Sequence, residues 1–316
     1  MRRRSFRRLT KKRAIAIALS MVLWLFWWLF APVSNLSDVE ISDVQECEFT
    51  RDFVRVCTWN VHNYNVSNRR VKNRWINYPK PENERDAVAF TLAKIDADII
   101  LIQEMGDKTY LNDLCIRLSK AGKKYPYAFV SEYDSPSRLA ILSRIKPNKV
   151  FDFSDTRIIV KGEHTYSPRG TLGIKTNIKG KELYTFSLHL KSKVNAKKKD
   201  ENFIPFRFAE LRAIGKRVQY ATGKNALVIY GGDFNDEPKP RFLKNLGDVS
   251  IVPQSDMLGS SYTYHWLKKN IFYTYDFFVV SPRLASFIKK PAVIVPKGEG
   301  SDHCPVYVDI QLFNSK

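Results

Sequence analysis

The chain has 316 residues, 52 Lys/Arg against 32 Asp/Glu, and a formal net charge of +20. That length allows one large domain with an appendage, and the surplus of cations suits a polyanionic partner or an anionic membrane surface. Four cysteines (Cys47, Cys57, Cys115, Cys304) without zinc-ligand spacing argue against thiolate chemistry, and leave room for one or two disulfides whose pairing the spacing does not fix.

Residues 1–13 carry eight Lys/Arg and no acid, and 14–33, AIAIALSMVLWLFWWLFAPV, contain no charge. Twenty helical residues span about 30 Å, a bilayer core. A cleaved signal peptide competes with this reading, but its cleavage site would need small residues, and the candidate here is Leu29-Phe30-Ala31. The better reading is an uncleaved, single-pass anchor: 1–13 a basic cytoplasmic N-terminus, 14–33 the transmembrane helix, 34–51 a polar tether. The rest, 52–316, is then one extracytoplasmic domain, periplasmic or extracellular. Without the eight N-terminal cations the soluble part is still about +12.

Phe53–Thr58 alternates as a strand and runs into WNVHN. Arg69–Glu84 reads as a basic loop, 86–95 and 109–119 as helices, and DIILI (98–102) as a strand ending in Gln103-Glu104. Strands are expected at 127–132, 139–143, 171–176 and 183–188, the last ending in His189-Leu190-Lys191-Ser192. After a helix over 203–220 comes LVIY (227–230), expected to stop at Gly231-Gly232, where the glycines would leave space for a ligand. Asp233 and Asn235 follow on alternate positions and face one side. A helical turn near 242–246 and strands at 274–281 and 305–312 complete the chain. Neither GxGxxG nor GxxxxGK[ST] occurs, and strands outnumber helices, which favours an α/β sandwich with mixed sheets over a nucleotide fold.

The strand ends share one chemistry. Asn60, Glu104, His189, Asp233 with Asn235, Asp276 and Ser301-Asp302-His303 supply carboxylate, amide and imidazole. Oxygen donors without thiolates suit Mg²⁺ or Mn²⁺, with Glu104 and Asp302 as ligands and Asn60 helping directly or through water. The imidazoles are then free for acid–base or phosphate-binding work. His62 and His265 read as surface or packing residues, and Tyr262, Tyr264 and Trp266 as core or rim.

In order, WNVHN, LIQE, SLHLKS, GGDFND, YDFFVVS and SDHCPV resemble the endonuclease/exonuclease/phosphatase family of metal-dependent phosphoesterases, over about residues 52 to 312. That family includes deoxyribonuclease I-like nucleases, abasic-site endonucleases, sphingomyelinases and inositol-polyphosphate phosphatases. The resemblance implies a four-layer α/β sandwich of two packed mixed sheets. It implies Glu104, Asn60 and Asp302 as the metal site, Asp233 orienting or deprotonating water, and Asn235 holding the scissile phosphate. It further implies His303 on a phosphate oxygen or as base, fixed by Asp276, and His189 on the leaving-group side. Arg169 resembles a phosphate-binding arginine, and Glu132 a His-pairing acid. Position 277 departs from the pattern, being Phe where many members have His. The expectation is a membrane-anchored, Mg²⁺-dependent phosphodiesterase cutting DNA or RNA; the alternative substrate is a lipid or other small phosphorylated headgroup. Nothing in the sequence points to an obligate oligomer.

Overall fold

Three apolar cores order the elements of this chain. The computed structural model describes residues 51–193 and 203–312. The first stretch runs β1 (Val54–Tyr64), β2 (Val66–Val71), β3 (Arg74–Pro79), α1 (Glu82–Ile95), β4 (Ile99–Met105) and α2 (Lys108–Lys120). It continues through β5 (Tyr127–Val130), β6 (Arg138–Ser143), β7 (Pro147–Asp152), β8 (Arg157–Val160), β9 (Glu163–Tyr166), β10 (Thr171–Ile178) and β11 (Lys181–His189). The second begins with α3 (Ile204–Thr222), β12 (Leu227–Asp233), α4 (Pro240–Leu243), β13 (Ser250–Ile251) and β14 (Gln254–Ser255). It ends with β15 (Tyr264–Trp266), β16 (Ile271–Tyr273), β17 (Asp276–Val280), α5 (Pro282–Ala285), β18 (Ala292–Ile294) and β19 (Val306–Ile310).

The strands form a seven-stranded sheet, β14-β18-β19-β1-β4-β6-β5, and a six-stranded sheet, β13-β17-β12-β11-β10-β7. Both are mixed: β1/β4 and β11/β12 are parallel, whereas β1/β19 and β12/β17 are antiparallel. Alternation along each strand decides which core a side chain enters. Val54, Val56, Ile99 and Leu101 face Leu172, Ile174, Ile229 and Phe278 between the sheets. Their neighbours Cys57, Trp59, Ile100 and Ile102 face outward onto α1 and α2. On the other side Phe186, Leu188, Val228 and Tyr230 pack on Leu211, Ile214 and Val218 of α3. The order is helices, sheet, sheet, helix. Strand β4 is buried on both faces, at roughly 1.5–3 kcal/mol per large aliphatic side chain, and so reads as a continuous apolar run.

Two expectations are corrected here. The basic stretch after residue 69 is not a loop: β2 and β3 pair in register as a hairpin, and α1 begins at Glu82. Its turn places Lys72 and Asn73 at φ 47° and 64°, the left-handed pair a two-residue hairpin turn needs. Nor does β12 stop at its glycines; it continues to Asp233. A Cβ on Gly231 would lie 2.4 Å from the Phe278 ring, and one on Gly232 2.0 Å from the Leu188 carbonyl oxygen. These glycines admit neighbouring protein, not a ligand.

Cys57, Cys115 and Cys304 are free thiols. The expected anchor (14–33) and its flanks lie outside the described residues, among which no helix is long and apolar enough to cross a membrane.

Candidate active site

Register places the polar strand ends in two facing rows. In the six-stranded sheet His189 pairs with Asp233 and Asp233 with Asp276, so three adjacent strands end in imidazole, carboxylate and carboxylate. In the seven-stranded sheet Asn60 pairs with Gln103, and the β1/β4 register slips before Tyr64 meets Met105. That bulge re-aims the strand ends, a common use of bulges beside active sites. Left-handed backbone gathers here at non-glycine residues: His62, Asn63, Glu104 and Asn235 have φ of 48°, 54°, 64° and 50°. One amide joins the rows. Asn60 Nδ2 donates to Glu104 Oε1 (3.1 Å) in its own sheet and to Asp233 Oδ2 (3.0 Å) in the other.

The remaining parts are held by buried bonds. His303 Nδ1 lies 2.7 Å from Asp276 Oδ2, and His303 Nε2 lies 3.9 Å from Asp233 Oδ2. The Ser-Asp-His loop is tied to β1 where Trp59 Nε1 donates to the His303 carbonyl (2.9 Å) and Ser301 Oγ to the Asn60 carbonyl (2.6 Å). His189 Nε2 lies 3.5 Å from Asp233 Oδ2 and 3.9 Å from Glu104 Oε1. Asn235 donates its backbone N–H to Asp233 Oδ1 (2.8 Å) and its amide to the Leu190 carbonyl (3.1 Å).

Charge states follow from this packing. Burial raises the Asp233 carboxyl to about 7, with Asp276 adding to the rise and His303 opposing it. Burial alone would discharge His303, but Asp276, and behind it Asp233 and Asp302, raise the ring to about 10. His189 goes the other way, held neutral by burial and by the cations of Arg169 and Lys191. Two imidazoles in one site therefore carry different charge.

Asp233, Asp276 and His303 offer atoms within 4.8 Å of one another, but the last two are engaged with each other as a hydrogen-bonded dyad, which is proton-handling geometry. The oxygen donors Glu104 and Asp302 are 18% and 31% exposed and make no ion pair with Lys or Arg among the described residues. After burial, the carboxylates of Asp302, Asp233 and Glu104 push the Tyr264 phenol up to about 12. Carboxylates without a direct Lys or Arg partner, with an amide and no thiolate, fit a hard divalent cation. Asn60 and Glu104 are in contact, whereas Asp302 reaches the group beside His62, with Oδ1 3.5 Å from His62 Nδ1.

Arg169 is half-buried, its charge acts on His189, and its Nε has no partner among the described residues. Glu132 is not brought to a histidine. It is exposed; among the described residues only its backbone bonds, to Asp152 and Arg138, and His189 Nδ1 is buried with no partner among them. Strand β5 ends too early to carry Glu132 inward. Sequence reasoning undervalued three residues. His62 donates its N–H to Asn60 Oδ1 (3.0 Å) and faces Asp302. Tyr264 lies over His303, ring centroids 4.6 Å apart. Gln103 bonds Thr58 and Ser187, cross-linking the sheets under the site. Only its place before Glu104 could have flagged it.

Helix α3 grips the loop after His189 with two buried residues three apart. Glu210 accepts from Lys191 N (2.8 Å) and Ser167 Oγ (2.7 Å), and Arg207 donates to the Lys191 carbonyl (3.1 Å) and to Asp236 (2.8 Å). Burial raises Glu210 to about 7, whereas an exposed glutamate titrates near about 4.3. Between these values the folded chain holds a proton that the unfolded chain has lost. The stability this group contributes is complete below the window and is lost as pH rises through about 7. Glu210→Gln should therefore gain on the wild type in unfolding midpoint between about pH 5 and about pH 8. A difference between the two proteins that does not change with pH would refute the assignment.

With the geometry in place, the comparisons decide the family. A sequence profile described as the Endonuclease/Exonuclease/phosphatase family matches residues 61–250. The chain belongs to that family. Membership implies a metal-dependent phosphoester hydrolase. Among curated proteins no sequence matches. Solved structures share the fold at low identity. Staphylococcus aureus beta toxin with bound magnesium ions is 18% identical, with 82% of this chain and 99% of that one covered and a TM-score of 0.61. Truncated Caenorhabditis elegans TDP2 is 18% identical, covering 82% and 97%, with a TM-score of 0.56. The human nocturnin catalytic domain with a bound sulfate anion is 18% identical, covering 82% and 94%, with a TM-score of 0.54.

Proposed function

We propose that this family member is a Mg²⁺-dependent phosphodiesterase that hydrolyses DNA or RNA by in-line attack of water. The observation that carries the reading is the Asn60 amide bridging Glu104 and Asp233 while His303, paired with Asp276, faces the same Asp233 carboxylate. Asp233, near neutrality, positions the water and takes its proton. Protonated His303 donates to a non-bridging phosphoryl oxygen, and Asn235 and Arg169 hold the phosphate. His189 lies on the leaving-group side. Asn60, Glu104 and Asp302 would hold Mg²⁺, or Mn²⁺, which when bound supplies charge neutralisation on the phosphoryl and leaving oxygens. Support for magnesium comes from the oxygen-only donor set and from the beta toxin structure with bound magnesium ions. No covalent intermediate on the enzyme is required.

Residues 14–33 are proposed to anchor the chain, with 1–13 in the cytoplasm and the catalytic unit outside; the uncharged run behind eight cations supports this. A lipid headgroup is the second reading. The β15–β16 hairpin next to the site exposes Trp266, Leu267, Ile271 and Phe272 at 37%, 68%, 39% and 46%, a surface suited to a bilayer. Full-length protein with Mg²⁺, offered plasmid DNA, RNA, sphingomyelin vesicles and phosphoinositides in parallel, separates the two. Nucleic-acid cleavage that stops on chelation and returns with Mg²⁺ is expected; turnover of lipid alone overturns the first reading.

A further inference from the structure

The hairpin β2–β3 has no role in the chemistry above, yet it is rooted in it. Asn63, whose N–H donates to Glu104 Oε2 (2.8 Å), accepts at its carbonyl from the Arg69 guanidinium (2.5 Å). At the other end of the hairpin Lys80 Nζ donates to the His62 carbonyl (3.0 Å). Both feet of the ribbon therefore stand on the residues that shape the site rim. Between them, residues 66–79, VSNRRVKNRWINYP, hold four cations and no acid. Arg70, Lys72 and Arg74 are exposed and make no ion pair among the described residues. Cross-strand register sets Arg70 directly opposite Trp75, so guanidinium and indole share one face, and Trp75 is 68% exposed.

Resting on the nucleic-acid reading, we propose that this hairpin is a clamp for the single strand that flanks the scissile phosphate, with Arg70, Lys72 and Arg74 on its phosphates and Trp75 stacked on a base. Cations around an exposed aromatic, Arg70 on its face, Lys72 at the tip and Arg74 on the other face, match the two things every single strand offers, a charged backbone and bare π-faces. A bilayer is the poorer match. The hairpin tip is Lys72-Asn73, and the apolar side chains are divided between faces, Trp75 on one and Ile76 on the other, so no apolar end is available to enter lipid. The turn, with Lys72 and Asn73 both left-handed, holds the two strands as a preformed ribbon.

The test uses full-length protein and a fluorescent oligothymidylate, with binding read by anisotropy in chelator so that nothing is cleaved. Replacing Arg70, Lys72 and Arg74 together by alanine should weaken binding and lower the slope of log Kd against log salt by about 2, at about 0.7 per single-strand phosphate contact. Arg70→Lys with Arg74→Lys should keep the slope. Trp75→Ala should weaken binding by about tenfold or more without changing the slope. The gain in affinity from a trinucleotide to the long strand should disappear in the triple variant, and the unfolding midpoint, read alongside, shows that these exposed changes leave the fold intact.

An unchanged affinity and slope in the triple variant overturns the clamp. So does a variant that loses turnover of phospholipid vesicles while keeping its oligonucleotide affinity, since the hairpin would then be a membrane contact. Cleavage is scored separately. Hairpin-dependent binding without cleavage sinks the nuclease reading and leaves the clamp standing, whereas cleavage with hairpin-independent binding does the reverse.

Discussion

Asp233→Asn should lower kcat for a phosphodiester by about a thousandfold, within the range general-base removal produces, while the protein stays folded. The substitution is nearly isosteric. The amide oxygen can keep the bond from the Asn235 N–H at the Oδ1 position, while the NH2 group takes the Oδ2 position and gives up the bond that Asn60 Nδ2 donates there. What it lacks is basicity. Because the carboxyl is fully buried and burial works against its charge, the neutral amide removes an energetic burden that offsets the lost bond, and the unfolding midpoint should change little. A variant with low kcat but a falling midpoint would mean lost structure. A kcat within tenfold of wild type would assign proton transfer elsewhere.

Glu104→Gln should act on the metal and leave the proton machinery in place. Partners one shell removed from a metal typically cost about 10–100-fold in affinity, so a ligand should cost at least the upper end, read as the Mg²⁺ concentration for half-maximal activity. A second readout does not depend on turnover. An ion that binds only the native state at about a hundred times its Kd adds about 2.7 kcal/mol. That corresponds to roughly 5–10 °C in the unfolding midpoint of a domain this size. Wild type should show that shift on adding Mg²⁺, and Glu104→Gln should not. Equal shifts in both would remove Glu104 from the site, whatever happened to activity. Asp302→Asn makes the companion measurement, because Asp302 stands 3.5 Å from His62 rather than against Asn60 or Glu104.

Much of the site was legible because its chemistry is written at strand ends. Asn60, Glu104, His189, Asp233, Asp276 and His303 could be picked out from residue type and position alone, and the structure gathers all six. Glu132 could not be judged this way: strand β5 closes at Val130, and its backbone turns to Asp152. Tyr264 and His62 read from sequence as rim and surface residues, because an aromatic in a short hairpin and a histidine after a strand carry no chemistry of their own. Their place beside the candidate site comes from stacking on His303 and facing Asp302, contacts made across long sequence separations. The basic run at 69–74 was legible as charge and illegible as structure, since a type of turn that usually asks for glycine is made here by Lys72 and Asn73.

By itself the sequence determined the donor types, the two-residue alternation that builds each strand, and hence an α/β fold with polar rims. Tertiary structure decided which rims meet. Parallel and antiparallel pairing align His189, Asp233 and Asp276 in one row, and the slip between β1 and β4 turns Asn60 and Glu104 towards it. The physical reason is range: a strand's alternation is local, whereas register is fixed by apolar side chains interdigitating between sheets, and a one-residue slip would carry every one of these donors to the opposite face.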